Sequence, residues 1–299
     1  MTEERLRRLL EEGGLGRVAD DLIALARPSV RVYPRKAVEA RMAVGASKIG
    51  GRPDLPDGVD WPSWHEPMAF LAQFNLAEVA PFDREGALPS TGLLSFFYET
   101  DGEPDYSARL ALPEDEDPAD HPEFVAAEGW RVVYHEGDPA TFERRKVPRG
   151  LNPGGRFRAC AVRLATEPTL PRAEGTRLGP LRLKRDELEA LIDLDQEINA
   201  GAWEDGGFHL LGYPFSLDVP TLVACDGATS RWADLAPESA RRRKIEADVE
   251  LRWRLLLQLS SSDAAGMDWA GGGYLHVAIG PEALRARDFS GVRLNLQFL

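Results

Sequence analysis

Cysteine is scarce in this chain, which has two among 299 residues. Cys160 and Cys225 lie far apart in the sequence and form no Cys-x-x-Cys pair, so no disulfide framework is predicted. Cys225 also follows an apolar run, which favours a buried, inert thiol over a nucleophile. A chain with so few thiols is suited to a reducing compartment, and we expect a cytoplasmic protein.

Long apolar segments are also missing. No uninterrupted run approaches the roughly 20 residues that a helix needs to cross a bilayer. The first eight residues, Met1 to Arg8, carry charges throughout and lack the apolar centre of a signal peptide. We therefore expect a soluble, intracellular protein with no membrane partner.

Positive charge is in deficit. The chain has 36 basic and 49 acidic residues, a formal charge of −13. Proteins that bind nucleic acid without sequence preference draw most of their free energy from Lys and Arg, so this balance predicts no nucleic-acid partner. A protein partner, including a basic one, remains compatible with an acidic surface.

Motifs for catalysis and for metal binding are absent as well. The sequence has no Gly-x-Ser-x-Gly of a serine hydrolase, and the glycine runs Gly50-Gly51 and Gly271–Gly273 do not precede the helix pattern that a phosphate loop needs. None of the five histidines follows a metal-binding spacing; they are His65, His121, His135, His209 and His276. We predict no cofactor and no metal.

What the chain does contain is a repeated series of anchors. Each series has a Gly-Pro turn, an apolar run with one central Gln, and a strand that begins at Gly. The first comprises Gly50–Pro53, Phe70–Leu76 and Gly92–Phe97, and the second Leu211–Pro214, Leu255–Ser260 and Gly273–Ala278. Repetition on this scale predicts a fold that was built by doubling one unit.

The overall pattern is rich in strands, with sporadic helices and no regular βαβ rhythm. It predicts an α+β protein with mostly antiparallel sheets from two related β-rich halves, an internal duplication, and peripheral helices. The halves cover about 40–170 and 200–299, within one domain at 28–299. Residues 1–27 read as an N-terminal helical extension, and 184–199 as the clearest helix.

A series of short motifs extends over roughly residues 28–299: Ser47–Pro56, Trp61-Pro62, Phe70–Leu76, Leu88-Pro89, Gly92–Tyr98, His209–Pro214, Leu255–Leu259, Met267–Trp269 and Arg287–Ser290. Their combination resembles the YwqG-like family, a bacterial domain family of unknown function. It implies an α+β fold with an internal duplication and no established activity. Some members are encoded near secreted toxin genes, which implies an immunity or toxin-binding role for at least those.

Two glutamines are the most unusual candidate residues. Gln73 and Gln258 each stand inside an apolar strand, where an amide left unpaired costs about 1–3 kcal/mol for each buried group. Either each one binds the main chain of a neighbouring turn, or both line a shared groove. The second alternative predicts a binding role for the pair.

Two irregular segments are candidate binding loops. Asp263, Asp268 and Trp269 lie in a polar stretch between two strands, which is typical of a binding surface and also of a long hairpin loop with its Trp on the sheet. Trp61 and Trp64 lie among prolines, where aromatic residues serve as interface anchors or as covers for a sheet end.

Two functions follow from these residues. The first is a non-enzymatic protein-binding module, with neutralisation of a toxin as its immunity-type form, that uses the loops at 57–68 and 260–270. The alternative is a hydrolase or transferase whose site lies in the groove between the halves. That site would use Gln73, Gln258, His209 and Asp263.

Overall fold

The computed structural model describes residues 1–100, 129–200, 207–217, 219–236 and 239–298. His121 lies outside the described residues. No helix within these ranges has the length and apolar character that a membrane crossing requires.

Ten of the described strands form one sheet, in the order β12-β11-β10-β9-β1-β8-β2-β4-β5-β6. The strands β3 and β7 form a separate two-stranded sheet. The strands are β1 (Arg27–Lys36), β2 (Lys48–Ile49), β3 (Asp54–Leu55), β4 (Ala69–Asn75), β5 (Leu93–Tyr98), β6 (Trp130–His135), β7 (Glu143–Arg144), β8 (Cys160–Thr169), β9 (Phe208–Leu210), β10 (Arg254–Ser260), β11 (Tyr274–Ile279) and β12 (Arg293–Gln297).

The predicted fold class is wrong. The protein has one mostly antiparallel sheet with few helices instead of separate sheets in two related halves, and the duplication is not shown. The physical reason is the central pair: β1 and β8 are antiparallel along ten residues each, from Arg27↔Thr169 to Lys36↔Cys160. Because β9 then pairs with β1 and β2 pairs with β8, hydrogen bonding continues across the whole sheet.

The sheet curls into a nearly closed barrel. The outer strand β6 contacts the segment 289–292, which directly precedes the other outer strand, β12. The indole Nε1 of Trp130 donates a hydrogen bond to the carbonyl of Val292 at 3.2 Å. The rings of Tyr134 and Phe289 lie 5.7 Å apart.

The inner face of the barrel holds the main apolar core. Val30, Phe74, Phe96, Leu257 and Val277, each from a different strand, belong to a single buried cluster. Side chains alternate between the faces of a strand, so the residues between these point outwards. Those outward positions carry the polar residues discussed below.

Helices cover the outside. They are α1 (Glu3–Glu12), α2 (Ala19–Leu25), α3 (Leu76–Val79), α4 (Arg185–Ile198), α5 (Thr221–Asp226), α6 (Thr229–Ala233), α7 (Ala240–Arg252) and α8 (Pro281–Arg285). The helix predicted at 184–199 is confirmed as α4. It packs with α1 and α2 in a second apolar cluster that contains Leu10, Leu22 and Leu191.

The barrel has two ends, which we call upper and lower. At the upper end β1 finishes and β8 begins, and the antiparallel register brings three segments there: 56–68, 145–159 and 261–273. Segments 76–92 and 280–292 lie at the lower end. Both candidate binding loops are therefore at the upper end.

One buried acid makes stability depend on pH. Burial raises the pKa of Asp195 on α4 to about 7 from 3.8, although Asn199 donates a hydrogen bond to it. A folded-state pKa above the unfolded value stabilises the fold at low pH, and this contribution is lost as pH rises through 7.

We expect Asp195→Asn to gain stability relative to the wild type between about pH 4 and about pH 8, by at most about 4 kcal/mol, because Asn stays neutral. Urea unfolding across this range measures it. Asp193→Asn, at an exposed position of α4, is the control and should follow the wild-type curve. Parallel curves for Asp195→Asn and the wild type would contradict the prediction.

Candidate functional site

Gln73 is fully buried on the outer face of β4, and its amide is hydrogen-bonded. Its Oε1 accepts from the main-chain N–H of Asp54 at 2.9 Å, and its Nε2 donates to the carbonyl of Ala46 and to Asp54 Oδ2, each at 2.8 Å. The glutamine thus holds the turn that follows Pro53 against the sheet.

A buried ion-pair network surrounds this glutamine. Lys48, the register partner of Gln73, lies with its Nζ 3.0 Å from Asp54 Oδ2, and both side chains are 0% exposed. Arg144 Nε donates to Asp54 Oδ1 at 2.9 Å. Burial lowers the pKa of Lys48 to about 8 despite Asp54. Burial alone would raise the pKa of Asp54, but Arg144 and Lys48 hold it below its ordinary value.

Gln258 makes comparable contacts on β10. Its Oε1 accepts from the N–H of Phe215, the residue after Pro214, at 2.9 Å. Its Nε2 donates to the carbonyls of Asn199 at 3.0 Å and Gly207 at 3.2 Å. The amide therefore joins the sheet to the segment that leaves α4 and to the Gly-Pro turn.

His209 is paired with Gln258 in the strand register and is also fully buried. Its Nδ1 is 2.8 Å from the carbonyl oxygen of Leu211, and its Nε2 is buried with no partner among the described residues. Burial, followed by the charge of Arg31, lowers its pKa well below the ordinary value. The ring is neutral at physiological pH.

The glutamines lie far apart on the sheet. Five strand-to-strand steps separate β4 from β10. At about 4.8 Å a step, this is about 24 Å along the sheet. Gln73 and Gln258 therefore do not line one groove.

The loop at 261–273 has both exposed and buried members. Asp263 and Asp268 are exposed, and Asp268 Oδ1 accepts a hydrogen bond from the N–H of Gly271 at 2.8 Å. Trp269 is buried, with ring centroids 5.7 Å from Phe157 and 6.3 Å from Tyr98. The carboxylates of Asp263 and Asp268 are accessible to a binding partner, whereas Trp269 packs against the barrel.

The two tryptophans of the loop at 57–68 also differ in exposure. Trp61 is partly buried: its Nε1 donates to the carbonyl of Met68 at 2.7 Å, and its ring contacts Phe97. Trp64 is 43% exposed, and the guanidinium of Arg131 lies 5.4 Å from its ring centroid. Of the predicted aromatic residues, Trp64 is the one that presents a large exposed surface.

Segment 145–159 lies between the two candidate loops. The N–H of Arg158 donates to the carbonyl of Ala265 at 2.7 Å, and its guanidinium donates to the carbonyls of Asp263 and Ala264. On its other side the segment approaches the loop at 57–68 closely: if Gly150 had a Cβ atom, that atom would lie 3.0 Å from Glu66 Oε2. This segment forms the wall of a cleft at the upper end.

We call this cleft, which has a volume of about 440 Å³, the basic cleft. It is lined by Lys36, Ala37, Glu39, Gly51, Arg52, Val147, Leu151, Arg156, Phe157, Arg158, Ala159 and Ala264. Four of these residues are cationic, one is an acid and six have apolar side chains. The lining contains no His, Cys or Ser, and the carboxylate of its one acid, Glu39, is engaged by Arg52.

The one acid in the basic cleft is already neutralised. Glu39 Oε1 accepts from the N–H of Arg52 at 2.6 Å, and its Oε2 accepts from Arg52 Nε at 2.8 Å. Arg156 donates to the carbonyl of Leu151 at 3.1 Å, and Lys36 is exposed at the end of β1. The excess charge is positive, in a protein whose net charge is −13.

Sequence reasoning missed this cleft, although a signal was present. Between Arg144 and Arg158 there are six basic residues and no acid: Arg144, Arg145, Lys146, Arg149, Arg156 and Arg158. The overall negative charge hid this local excess. A charge count in short windows would have found it.

A family model described as Domain of unknown function (DUF1963) matches residues 47–297. The chain belongs to this family. No curated protein matches the sequence. A family of unknown function, as the motifs predicted, is thus confirmed. The DUF1963 match begins after β1, yet β1 pairs with β8 and β9 at the centre of the sheet, so the folded unit extends beyond the matched residues.

The described part of the DUF1963 protein has no group of three or more His, Cys, Asp or Glu placed to hold a metal ion. Its strongest site chemistry is the excess of guanidinium and ammonium donors around an apolar floor in the basic cleft. Such a site can bind an anionic group that carries an apolar neighbour.

We expect Gln258→Met to lower the free energy of unfolding by about 3 kcal/mol or more, because it leaves the buried N–H of Phe215 and two carbonyls unpaired. Chemical denaturation measures this loss. Gln196→Met, at an exposed position of α4, is the control and should change stability by less than about 0.5 kcal/mol. Equal stability of the two variants would show that the Gln258 contacts do not hold the fold.

Proposed function

We propose that the protein is a non-enzymatic binding module that seats an acidic segment of a protein partner in the basic cleft. The observation that carries the proposal is the charge of the cleft: four cationic side chains face one acid at the upper end of an otherwise acidic chain. The exposed Trp64 and the loop at 261–273 lie at the same end and would extend the contact.

Glu39 shows how a carboxylate is held there. It accepts from both the main-chain N–H and the guanidinium of Arg52. A carboxylate of the partner would find similar donors on Arg156 and Lys36, and its apolar neighbour would contact Val147, which is 40% exposed. The volume of about 440 Å³ accommodates a few side chains, as expected for a short segment.

The enzyme alternative has less support. A site that uses Gln73, Gln258 and His209 needs these side chains to reach a substrate, and all three are 0% exposed. A nucleic acid is also a weaker candidate for the cleft, because Phe157 is packed against Trp269 and does not offer a free ring face for base stacking.

The motifs shared with the YwqG-like family extend the proposal to an immunity-type role. In that role the partner is a toxin, and the upper end of the barrel covers an acidic part of its surface. The charge of the basic cleft supports complementarity to such a surface and fast association.

We expect Lys36→Glu to weaken binding of an acidic probe about tenfold, because it reverses one charge at an exposed rim position. The probe is a fluorescein-labelled peptide of alternating Glu and Leu, measured by fluorescence polarisation at two salt concentrations. Lys244→Glu on α7 makes the same charge change outside the cleft and serves as the control.

The outcome is decisive in both directions. Binding that weakens with salt, with loss in Lys36→Glu and none in Lys244→Glu, supports the proposal. Equal loss in both variants, or no saturation by about 1 mM peptide, contradicts it. Tighter binding of a single-stranded oligonucleotide of equal charge than of the peptide would also overturn it in favour of a nucleic-acid site.

Removing the acid of the cleft should have the opposite effect. Glu39→Gln keeps an acceptor for the N–H of Arg52 but removes the competing charge, so we expect the same peptide to bind about fivefold more tightly. A role of Glu39 in folding alone predicts unchanged or weaker binding. The polarisation assay, with melting temperature measured in parallel, separates the two.

A further inference from the structure

A second cleft lies at the lower end of the barrel, opposite the basic cleft. Its volume is about 710 Å³, within the range of small-molecule sites. One wall is the segment after α3, at 80–90, and the other is α8 with the residues that follow it. It is lined by Ala80, Asp83, Glu85, Gly86, Ala87, Leu88, Pro89, Ser90, Arg254, Pro281, Leu284, Arg285 and Arg287. We call it the arginine cleft.

Three guanidinium groups belong to this cleft, and two of them are loosely held. Arg287 pairs with Glu136 at 2.6 Å, and Arg285 approaches Glu282 at 3.7 Å. All four of these side chains are more than half exposed, and ion pairs in such positions contribute little. The guanidiniums of Arg285 and Arg287 can therefore turn to a bound anion at small cost.

One of the two acids of the cleft is paired with a cation. Arg254 pairs with Glu85 at 2.6 Å across the cleft, which reduces the repulsion that Glu85 would exert on an anionic ligand. Asp83 Oδ2 accepts from the N–H of Leu88 at 2.8 Å, and its Oδ1 is buried with no partner among the described residues.

The backbone at Arg287 is a second observation. Its φ is +59°, in the left-handed region that favours glycine, directly after α8. The N–H of Arg287 donates to the carbonyl of Leu284 at 3.1 Å, and that of Asp288 to Ala283 at 2.9 Å, which closes the helix end. A glycine would make this turn with less strain, so the arginine side chain is placed at the cleft at a conformational cost.

We propose that the arginine cleft binds a small organic phosphate. Arginine pairs bidentately with phosphate oxygens, and Arg285 and Arg287 lie two residues apart on one wall. The rest of the ligand meets an apolar surface formed by Ala87, Leu88 and Leu284. The arginine cleft shares no lining residue with the basic cleft, so this proposal does not depend on the proposed protein partner.

The probe is phenyl phosphate, titrated by calorimetry into the full chain, with inorganic phosphate and benzoate as separate arms. We expect saturable binding of phenyl phosphate, tighter than that of either comparison compound. Tighter benzoate binding, or no saturation by about 5 mM phenyl phosphate, overturns the proposal. The comparison separates the phosphate group from the ring.

Arg287→Gly is the informative variant, because it relieves the backbone while it removes the guanidinium. We expect phenyl phosphate to bind about tenfold more weakly while the melting temperature stays equal or rises. Arg182→Gly is the matched control: Arg182 also has a positive φ, +46°, and lies outside both clefts. Affinity equal in Arg287→Gly and Arg182→Gly would refute a phosphate role for Arg287 and overturn the proposal.

Discussion

The antiparallel pairing of β1 with β8 supports the rest of the architecture. Ten residues of each strand are in register, and each strand carries a further neighbour on its other side. If this pair were absent, β9–β12 and β2–β6 would be two open sheets, each with an unpaired edge. With it, one sheet curls round a common apolar core, and its loops gather at two opposite ends. The basic cleft and the arginine cleft both follow from that arrangement.

Buried polar groups on the outer face set the loops on this barrel. Gln73 and Gln258 each hold the main chain just after a proline, and Lys48 with Asp54 fixes the first of these turns. Buried ion pairs of this type contribute little net stability compared with apolar packing, but they penalise alternative registers that would leave a charge unpaired. We therefore regard them as determinants of loop position more than of overall stability.

Local periodicity predicted the single elements well. The apolar run at Leu255–Ser260 and the strand expected at Gly273–Ala278 correspond to Arg254–Ser260 and Tyr274–Ile279, and the helix expected at 184–199 is Arg185–Ile198. The pairing of β1 with β8 could not be predicted, because alternation indicates a strand and does not name its neighbour. The repeated anchors led to two halves, whereas hydrogen bonding runs through one sheet. For the candidate site, the loops were predicted, but the basic cleft between them requires side chains from four distant segments.

The distance along the chain between the two central strands also bears on how the protein forms. The hydrogen bond from Thr169 Oγ1 to the carbonyl of Arg27 spans 142 residues. During synthesis on the ribosome, β1 emerges before β8 and stays unpaired with it while the residues between the two strands are made. Contacts between residues so far apart in the sequence form slowly, and unpaired strand edges are prone to aggregation until they do. With β1 at the centre of the sheet, its edges stay unpaired until β8 has been made, and this is the stage at which the nascent chain is most prone to aggregation.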